Sequence, residues 1–596
     1  MRRPLIRLSV PVLAVVAICT TALPLGATTP PGAIAWQPWS ETVFAQAARE
    51  RRFVLLDLEA VWCHWCHVMD QKTYADPQVA QLIARHYIAV KVDQDARPDL
   101  SKRYQEYGWP ATIVFAPDGT EIVKRAGYIP PEPMARLLKA IVADPSPERA
   151  ARQAEGDLAA PAGVLSPPLR TELEDHHRSH YDTERGGLPT LLKFLNRNSI
   201  EYAMWWASRG DVEEAKRARQ TLDAALALRD PVWGGFYQYS THGDWAHPHY
   251  EKIMAVQGGY LRAYALAYGL WREPRYLDAA KDTVRYLDAF LTSPEGAYYT
   301  SQDADLVQGE HSEAYFALDD MARRTQGLPR VDRNRYAREN GWTIEALATL
   351  YEVTQDAGYL ERARRAAAWV QSERALPGGG FRHDAIDAAG PYLGDTLAMG
   401  RAYLHLYRIT SERDWLVKSR QAADFMAENF RAPDAGMLTA ISDASPVPAT
   451  PDIQENLAFA RFANLLYHYT GEPAYRELAL HSARYIMSEQ VARWRFTRSG
   501  ILLLDDELSK DPLHLTVRGS KTDPAAARLF AAALQTPGWY KRVEWWDDAE
   551  GPLPNPDVQY PRLQRAAVFV CTEKRCSLPL FSGAELVGML AELGRG

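Results

Sequence analysis

The stretch Val61-Trp62-Cys63-His64-Trp65-Cys66-His67-Val68-Met69 decides how this chain is read. Ahead of it, Phe53-Val54-Leu55-Leu56 is a short apolar run of the kind that forms a buried strand, and Asp57 closes it. After Cys66 the pattern turns helical. Two cysteines spaced C-x-x-C therefore fall where a strand passes into a helix. Unpaired N–H groups and the helix dipole favour negative charge there. A thiol that titrates near ~8.5 when free drops to about 7 or lower in such a setting, and each unit is worth about 1.4 kcal/mol. Cys63 is the expected nucleophile, with His64, if protonated, adding to the stabilisation of its thiolate. Cys66, one turn on, is placed to resolve a mixed disulfide.

Two more positions fit the same chemistry. Asp57 is expected beneath the cysteines, where a buried carboxylate can take the proton Cys66 must lose. Pro110, in Trp109-Pro110-Ala111-Thr112-Ile113-Val114-Phe115, opens the next strand, and an X-Pro bond adopts cis cheaply. Pro117-Asp118-Gly119 then reads as a hairpin turn. A C-x-x-C pair near a βαβ pattern reads as a thioredoxin-like redox motif. Three rivals stand beside it. Cys63-His64-Trp65-Cys66-His67 also fits the C-x-x-C-H haem attachment spacing, a Cys/His metal site uses the same residue types, and the pair could be an inert structural disulfide. The redox reading explains more of the surrounding sequence, so no metal or other cofactor is expected.

The 596 residues allow two to four domains. Hydrophobic content of 47% and charged content of 24% suit a globular protein, and a net charge of −7 argues against nucleic acid as a general partner. Arg2, Arg3 and Arg7 precede an apolar run over residues 8–25 and then small residues, the pattern of a secretory signal peptide spanning 1–35, cut after 27 or 35. A twin-arginine signal and an uncleaved anchor are the alternatives, and no later run is long enough to span a membrane. An exported, periplasmic or otherwise extracytoplasmic location is expected. Removing the signal leaves Cys63, Cys66, Cys571 and Cys576, an even number that suits disulfides Cys63–Cys66 and Cys571–Cys576.

The expected organisation is multidomain: an α/β thioredoxin-like domain over 36–143, an Ala/Pro-rich linker over 144–169, an all-α region over 170–495, and a small α/β region over 496–596. In the all-α region, amphipathic helices such as Tyr260-Leu261-Arg262-Ala263-Tyr264 and Thr343-Ile344-Glu345-Ala346-Leu347 each precede a short turn and a second helix. Glycine turns recur every 50–80 residues or so, implying repeated helical hairpins. Five or six hairpins would close into an (α/α)6 toroid; an open solenoid is the alternative.

Beyond the redox motif, the chain resembles thioredoxin-domain proteins related to spermatogenesis-associated protein 20. The resembling residues include Lys91-Val92-Asp93-Gln94-Asp95-Ala96-Arg97-Pro98-Asp99, Gly108-Trp109-Pro110, Gly235-Phe236-Tyr237-Gln238-Tyr239-Ser240, Pro248-His249-Tyr250-Glu251-Lys252 and Ser301-Gln302-Asp303-Ala304-Asp305. The resemblance implies a thioredoxin-like domain on a six-hairpin-glycosidase-like toroid. The chain departs from the family pattern at Ile253-Met254-Ala255-Val256-Gln257-Gly258 and at Gly309-Glu310-His311-Ser312-Glu313.

His249, Glu251, Asp303 and Asp305 follow glycine turns, which a toroid gathers at one mouth, so they are candidate ligand residues there. Carboxylates and aromatics around a concave mouth suit a sugar; stapling of long loops is the alternative role. Two functions follow. One is an exported thiol–disulfide oxidoreductase acting on protein thiols or disulfides, with the toroid as partner-binding domain. The other is a carbohydrate-binding or carbohydrate-processing toroid with a structural thioredoxin-like adaptor.

Overall fold

The computed structural model describes residues 34–40, 42–148, 163–387, 389–441, 447–494, 496–572 and 575–593. Residues 1–33 of the expected signal peptide, its first cleavage site and much of the expected linker lie outside them. No helix among the described residues is long and apolar enough to cross a membrane.

The N-terminal domain is a four-stranded sheet flanked by helices. Its elements are α1 (Val43–Glu50), β1 (Phe53–Glu59), α2 (His64–Val68), α3 (Pro77–His86), β2 (Tyr87–Asp93), α4 (Pro98–Tyr104), β3 (Ala111–Phe115), β4 (Glu121–Ala126) and α5 (Pro131–Ala143). The strand order is β2-β1-β3-β4, with β1 parallel to β2 and antiparallel to β3. Side chains alternate along β1. Leu55 packs with Met69 and Tyr74 on the face covered by the site helix, while Val54, Leu56 and Leu58 pack with Val43 and Leu100 on the other. Asp57 shares the face of Leu55. The hydrophobic alternation thus aims a carboxylate at the site helix.

The large domain is a closed double ring of helices. Six inner helices run in order: α7 (Arg197–Ala207), α9 (Met254–Trp271), α13 (Ala337–Thr354), α15 (Leu393–Thr410), α17 (Ile453–Thr470) and α20 (Arg498–Ser509). Each packs on the next, and α20 returns to α7. Outer partners are α8 (Val212–Ala225), α10 (Pro274–Tyr286), α14 (Ala357–Glu373), α16 (Arg413–Asn429), α18 (Pro473–Ile486) and α6 (Pro167–Ser179). Short helices α11 (Glu313–Phe316), α12 (Asp320–Gln326) and α19 (Glu489–Ala492) lie in the connections. Closure of α20 on α7 settles the choice between toroid and open solenoid. It also corrects the expected end at residue 495: the ring takes its sixth inner helix from beyond that point, pairing it with the N-terminal outer helix α6. Ring closure needs both ends of the domain, a demand that local periodicity does not reveal.

The C-terminal region carries strands Leu513–Arg518, Lys541–Trp546, Ala567–Thr572 and Arg575–Cys576 around helix Pro524–Leu534. Cys571 and Cys576 face each other across the last hairpin and are disulfide-bonded. This region seats on the toroid through Lys541 Nζ–Glu352 (2.7 Å) and the Tyr407 hydroxyl donating to Glu544 (3.2 Å).

Adjacent inner helices approach closely because small residues meet. A Cβ on Gly341 of α13 would lie 2.7 Å from the Ala398 backbone carbon of α15. Overpacking of this kind costs about 1–3 kcal/mol. Gly341→Ala is therefore expected to lower the thermal unfolding midpoint; an unchanged midpoint would contradict this contact.

Candidate active site at the domain interface

Cys63 and Cys66 form a disulfide. Cys63 is the N-cap of α2, and its Sγ accepts the Cys66 backbone N–H at 3.2 Å. The helix continues through a wider turn, Met69–Tyr74, so its dipole acts on Cys63 over three turns or so. Pro110 follows a cis peptide bond at the start of β3. Asp57 is buried, with Lys91 Nζ 3.3 Å from Oδ2 and no hydrogen-bond partner at Oδ1. Burial pushes its pKa up to about 7, against the opposing pull of Lys91.

The disulfide does not face solvent. Cys63 is 4% and Cys66 2% exposed, because the toroid covers them. The covering residues are those singled out by sequence. Asp305 Oδ1 accepts from His64 Nδ1 (2.8 Å) and Asp305 Oδ2 from His67 Nδ1 (3.0 Å). His67 Nε2–H also donates to the Val61 carbonyl (3.1 Å), so both its nitrogens carry protons. Burial alone would lower the His67 pKa, but Asp305 and Asp303 raise it above the ordinary value. Burial would likewise raise Asp305, yet His64 and His67 hold it at about 2. Asp303 is buried, its Oδ2 has no hydrogen-bond partner, and burial pushes it up to about 7.

The loop over the site is tightly turned. Gly309 N–H donates to Asp305 Oδ2 (2.8 Å), and Gln71 Nε2 donates to the Gln308 carbonyl (2.5 Å). Gly309 has φ +77°, a left-handed conformation that favours glycine, and Gln71 would have to shift to admit a Cβ there. His311 from the same loop lies against His64, ring centroids 4.3 Å apart, and Trp65 stacks on Tyr128. Burial and then His64 lower the His311 pKa. His249 stacks on Tyr239 and lies 3.8 Å from Glu251, a buried carboxylate with one unpartnered oxygen.

His249, Glu251, Asp303 and Asp305 thus stand at this interface side of the toroid and do not line its central cavity. That cavity measures about 740 Å³ and is bordered at one end by Trp62, Gln94, Asp95 and Trp109 of the N-terminal domain, at the other by Trp539 and Tyr540. A second interdomain bond flanks it: His383 Nε2–H donates to the Asp95 carbonyl (2.7 Å), while Asp395 receives Nδ1–H (2.9 Å).

His67, Asp303 and Asp305 offer ligand atoms close enough to share a cation. Both nitrogens of His67 are already donors, so a cation would have to break those bonds. The other acidic group, Asp57, Glu59 and Asp70, already encloses Lys91 Nζ.

Sequence reasoning missed His67 as a clamp residue and the charged cavity wall. The wall did leave a signal. Arg262, Glu345, Arg401 and Arg461 are each the ninth residue of an eighteen-residue inner helix, so they lie at one depth.

The clamp carries a pH signature. A raised His67 pKa gives stability that is full below the unfolded histidine value of about 6.5 and is lost as pH rises through the folded one. Asp305→Asn is expected to lower the melting temperature, most at pH 5–6 and less at pH 8–9. A pH-independent difference would show that the ion pair contributes nothing.

Residues 27–144 match the family model Thioredox_DsbH, described as a protein of unknown function, DUF255. Spermatogenesis-associated protein 20 of Homo sapiens is 26% identical over 308 residues, which cover 45% of this chain and 39% of that protein. The match therefore spans about two fifths of that relative's length. A thioredoxin of Mycoplasmoides gallisepticum is 34% identical over 86 residues, covering 14% of this chain and 81% of that one. The structure of cellobiose 2-epimerase from Spirochaeta thermophila is similar at 15% identity and a TM-score of 0.46, covering 58% of this chain and 98% of that one. Through its N-terminal domain, the chain belongs to the thioredoxin-like family.

Proposed function

We propose that this chain is an exported thiol–disulfide oxidoreductase whose toroid covers and gates the reactive pair. The observation that carries it is Cys63 capping a helix, its sulfur on the Cys66 N–H, above a strand face that presents buried Asp57. In the reducing direction, the Cys63 thiolate attacks a substrate disulfide and expels one substrate thiolate. The Cys66 thiolate then attacks Cys63 Sγ, releasing the second substrate thiol and re-forming Cys63–Cys66. Asp57, titrating near neutrality, takes the proton that Cys66 gives up. The Asp305 clamp must open before a protein disulfide can reach Cys63. Export rests on Arg2, Arg3, Arg7 and the apolar run over residues 8–25. Secreted or periplasmic protein thiols and disulfides are the partners this implies.

A second reading is favoured by a separate observation. The toroid encloses a cavity of about 740 Å³ walled by aromatic and charged side chains, within the size range of small-molecule sites. This supports a carbohydrate-sized ligand in the toroid, with or without redox chemistry above it.

Titration of the full chain against glutathione, read by thiol alkylation, tests the first reading. A reversible two-electron transition between roughly −120 and −270 mV is expected; resistance to reduction throughout would leave the pair structural. Cys66→Ser is expected to accumulate mixed disulfides with thiol substrates, and Cys63→Ser to form none.

Asp57 supplies an independent check. Its raised pKa means the buried carboxyl costs least below about 4 and progressively destabilises the fold as pH rises through about 7. Asp57→Asn should gain stability relative to wild type above pH 7. It should also slow dithiol exchange near neutrality by about tenfold or more. Unchanged exchange would remove Asp57 from the mechanism.

A further inference from the structure

The cavity wall holds a closed network of three cations and three anions. Arg262 pairs with Glu201 and, at 3.4 Å, with Glu345; Arg401 pairs with Glu345 at 2.8 Å. Arg461 bridges Glu201 (3.1 Å) and Glu507 (2.8 Å). Burial would raise Glu345 and Glu201, but neighbouring arginines hold both below the ordinary value, Glu345 at about 2; burial raises Glu507 against the pull of Arg461. The six charges neutralise one another.

The same wall also holds Arg338, paired with Glu339, Arg408, paired with Glu352, and Arg197, at the first position of α7. Its side chain lies over Gly259, where a Cβ would meet Arg197 Cδ at 2.8 Å. It is exposed to the cavity space, and Glu201, Arg401, Arg262 and Glu345 are its charged neighbours. It makes no hydrogen bond or ion pair among the described residues, and the surface it exposes is cavity wall. With no protein partner, its planar fork is free to take a carboxylate in bidentate geometry. All six inner helices begin at this end, so their positive dipole ends add to the field. Trp342 and Phe462 line the wall near this network, with Trp62 and Trp109 at one end and Trp539 at the other. Flat aromatic faces pack well against the C–H faces of a pyranose ring.

The geometry points to a sugar acid as the ligand of the toroid: a uronate or short oligouronate whose carboxylate pairs with Arg197. This rests on the second reading above and sharpens it. The six paired charges supply fixed donors and acceptors for hydroxyls, and Arg197 selects the charged group.

The test uses the full chain and calorimetric titration with D-glucuronate, digalacturonate and cellobiose. At least one acidic saccharide should bind wild type, with cellobiose at least about tenfold weaker. Arg197→Gln should weaken the acidic ligand by about tenfold or more, while Arg197→Lys restores part of the affinity. Because Arg197 is exposed to the cavity and has no protein partner, ligand-free Arg197→Gln should melt close to wild type. Equal binding of neutral and acidic saccharides, unaffected by Arg197→Gln, would overturn the acid preference and leave a sugar site. No binding of any saccharide to wild type would overturn both. Should Arg197→Gln fail to fold, the stability expectation falls, and the acidic-against-neutral comparison on wild type still decides the ligand class.

Discussion

One carboxylate ties the molecule together. Asp305 reaches from the toroid to His64 and His67, on either side of Cys66 in the site helix, and holds both rings with its two oxygens. The contact is buried, so removing one partner costs more than it would at an exposed pair. Removing one partner would leave the others charged or unsatisfied under the toroid. The same turn brings Gly309 onto Gln71 in a left-handed backbone conformation that favours glycine. The disulfide is therefore enclosed by a specific, hydrogen-bonded surface.

The toroid has its own organising constraint. Six helices must close a ring, and their inner faces cannot all be apolar if the centre is to hold a cavity. The charges at the middle of four inner helices answer this by pairing sideways with neighbouring helices. Trp62 and Trp109 are common to both halves of the molecule: they pack with Cys63 and Cys66 and also form one end of the cavity. The redox pair and the cavity thus share a wall.

Much of this was legible from sequence because it is local. Alternation in Phe53–Glu59 places Leu55 and Asp57 on one face, and the C-x-x-C spacing with Pro110 gives the site its parts. Helical hairpins follow from periodicity. What sequence could not give is distance in space across long separations. His64 and Asp305 are 241 residues apart; each is a candidate from its own motif, but nothing local joins the two. The same holds for α20, whose place in the ring depends on meeting α7 and α6. The aligned charges at the ninth helix position were visible, but only ring closure turns a repeated register into a shared wall.

The most direct measurement is the rate at which dithiothreitol reduces Cys63–Cys66 in the folded full chain, wild type against Asp305→Asn, in native buffer at neutral pH. If the clamp encloses the disulfide, the variant should be reduced at least about tenfold faster, with the difference vanishing in denaturant. Equal rates in native buffer would mean that Asp305 does not control access, and that the toroid does not gate the pair.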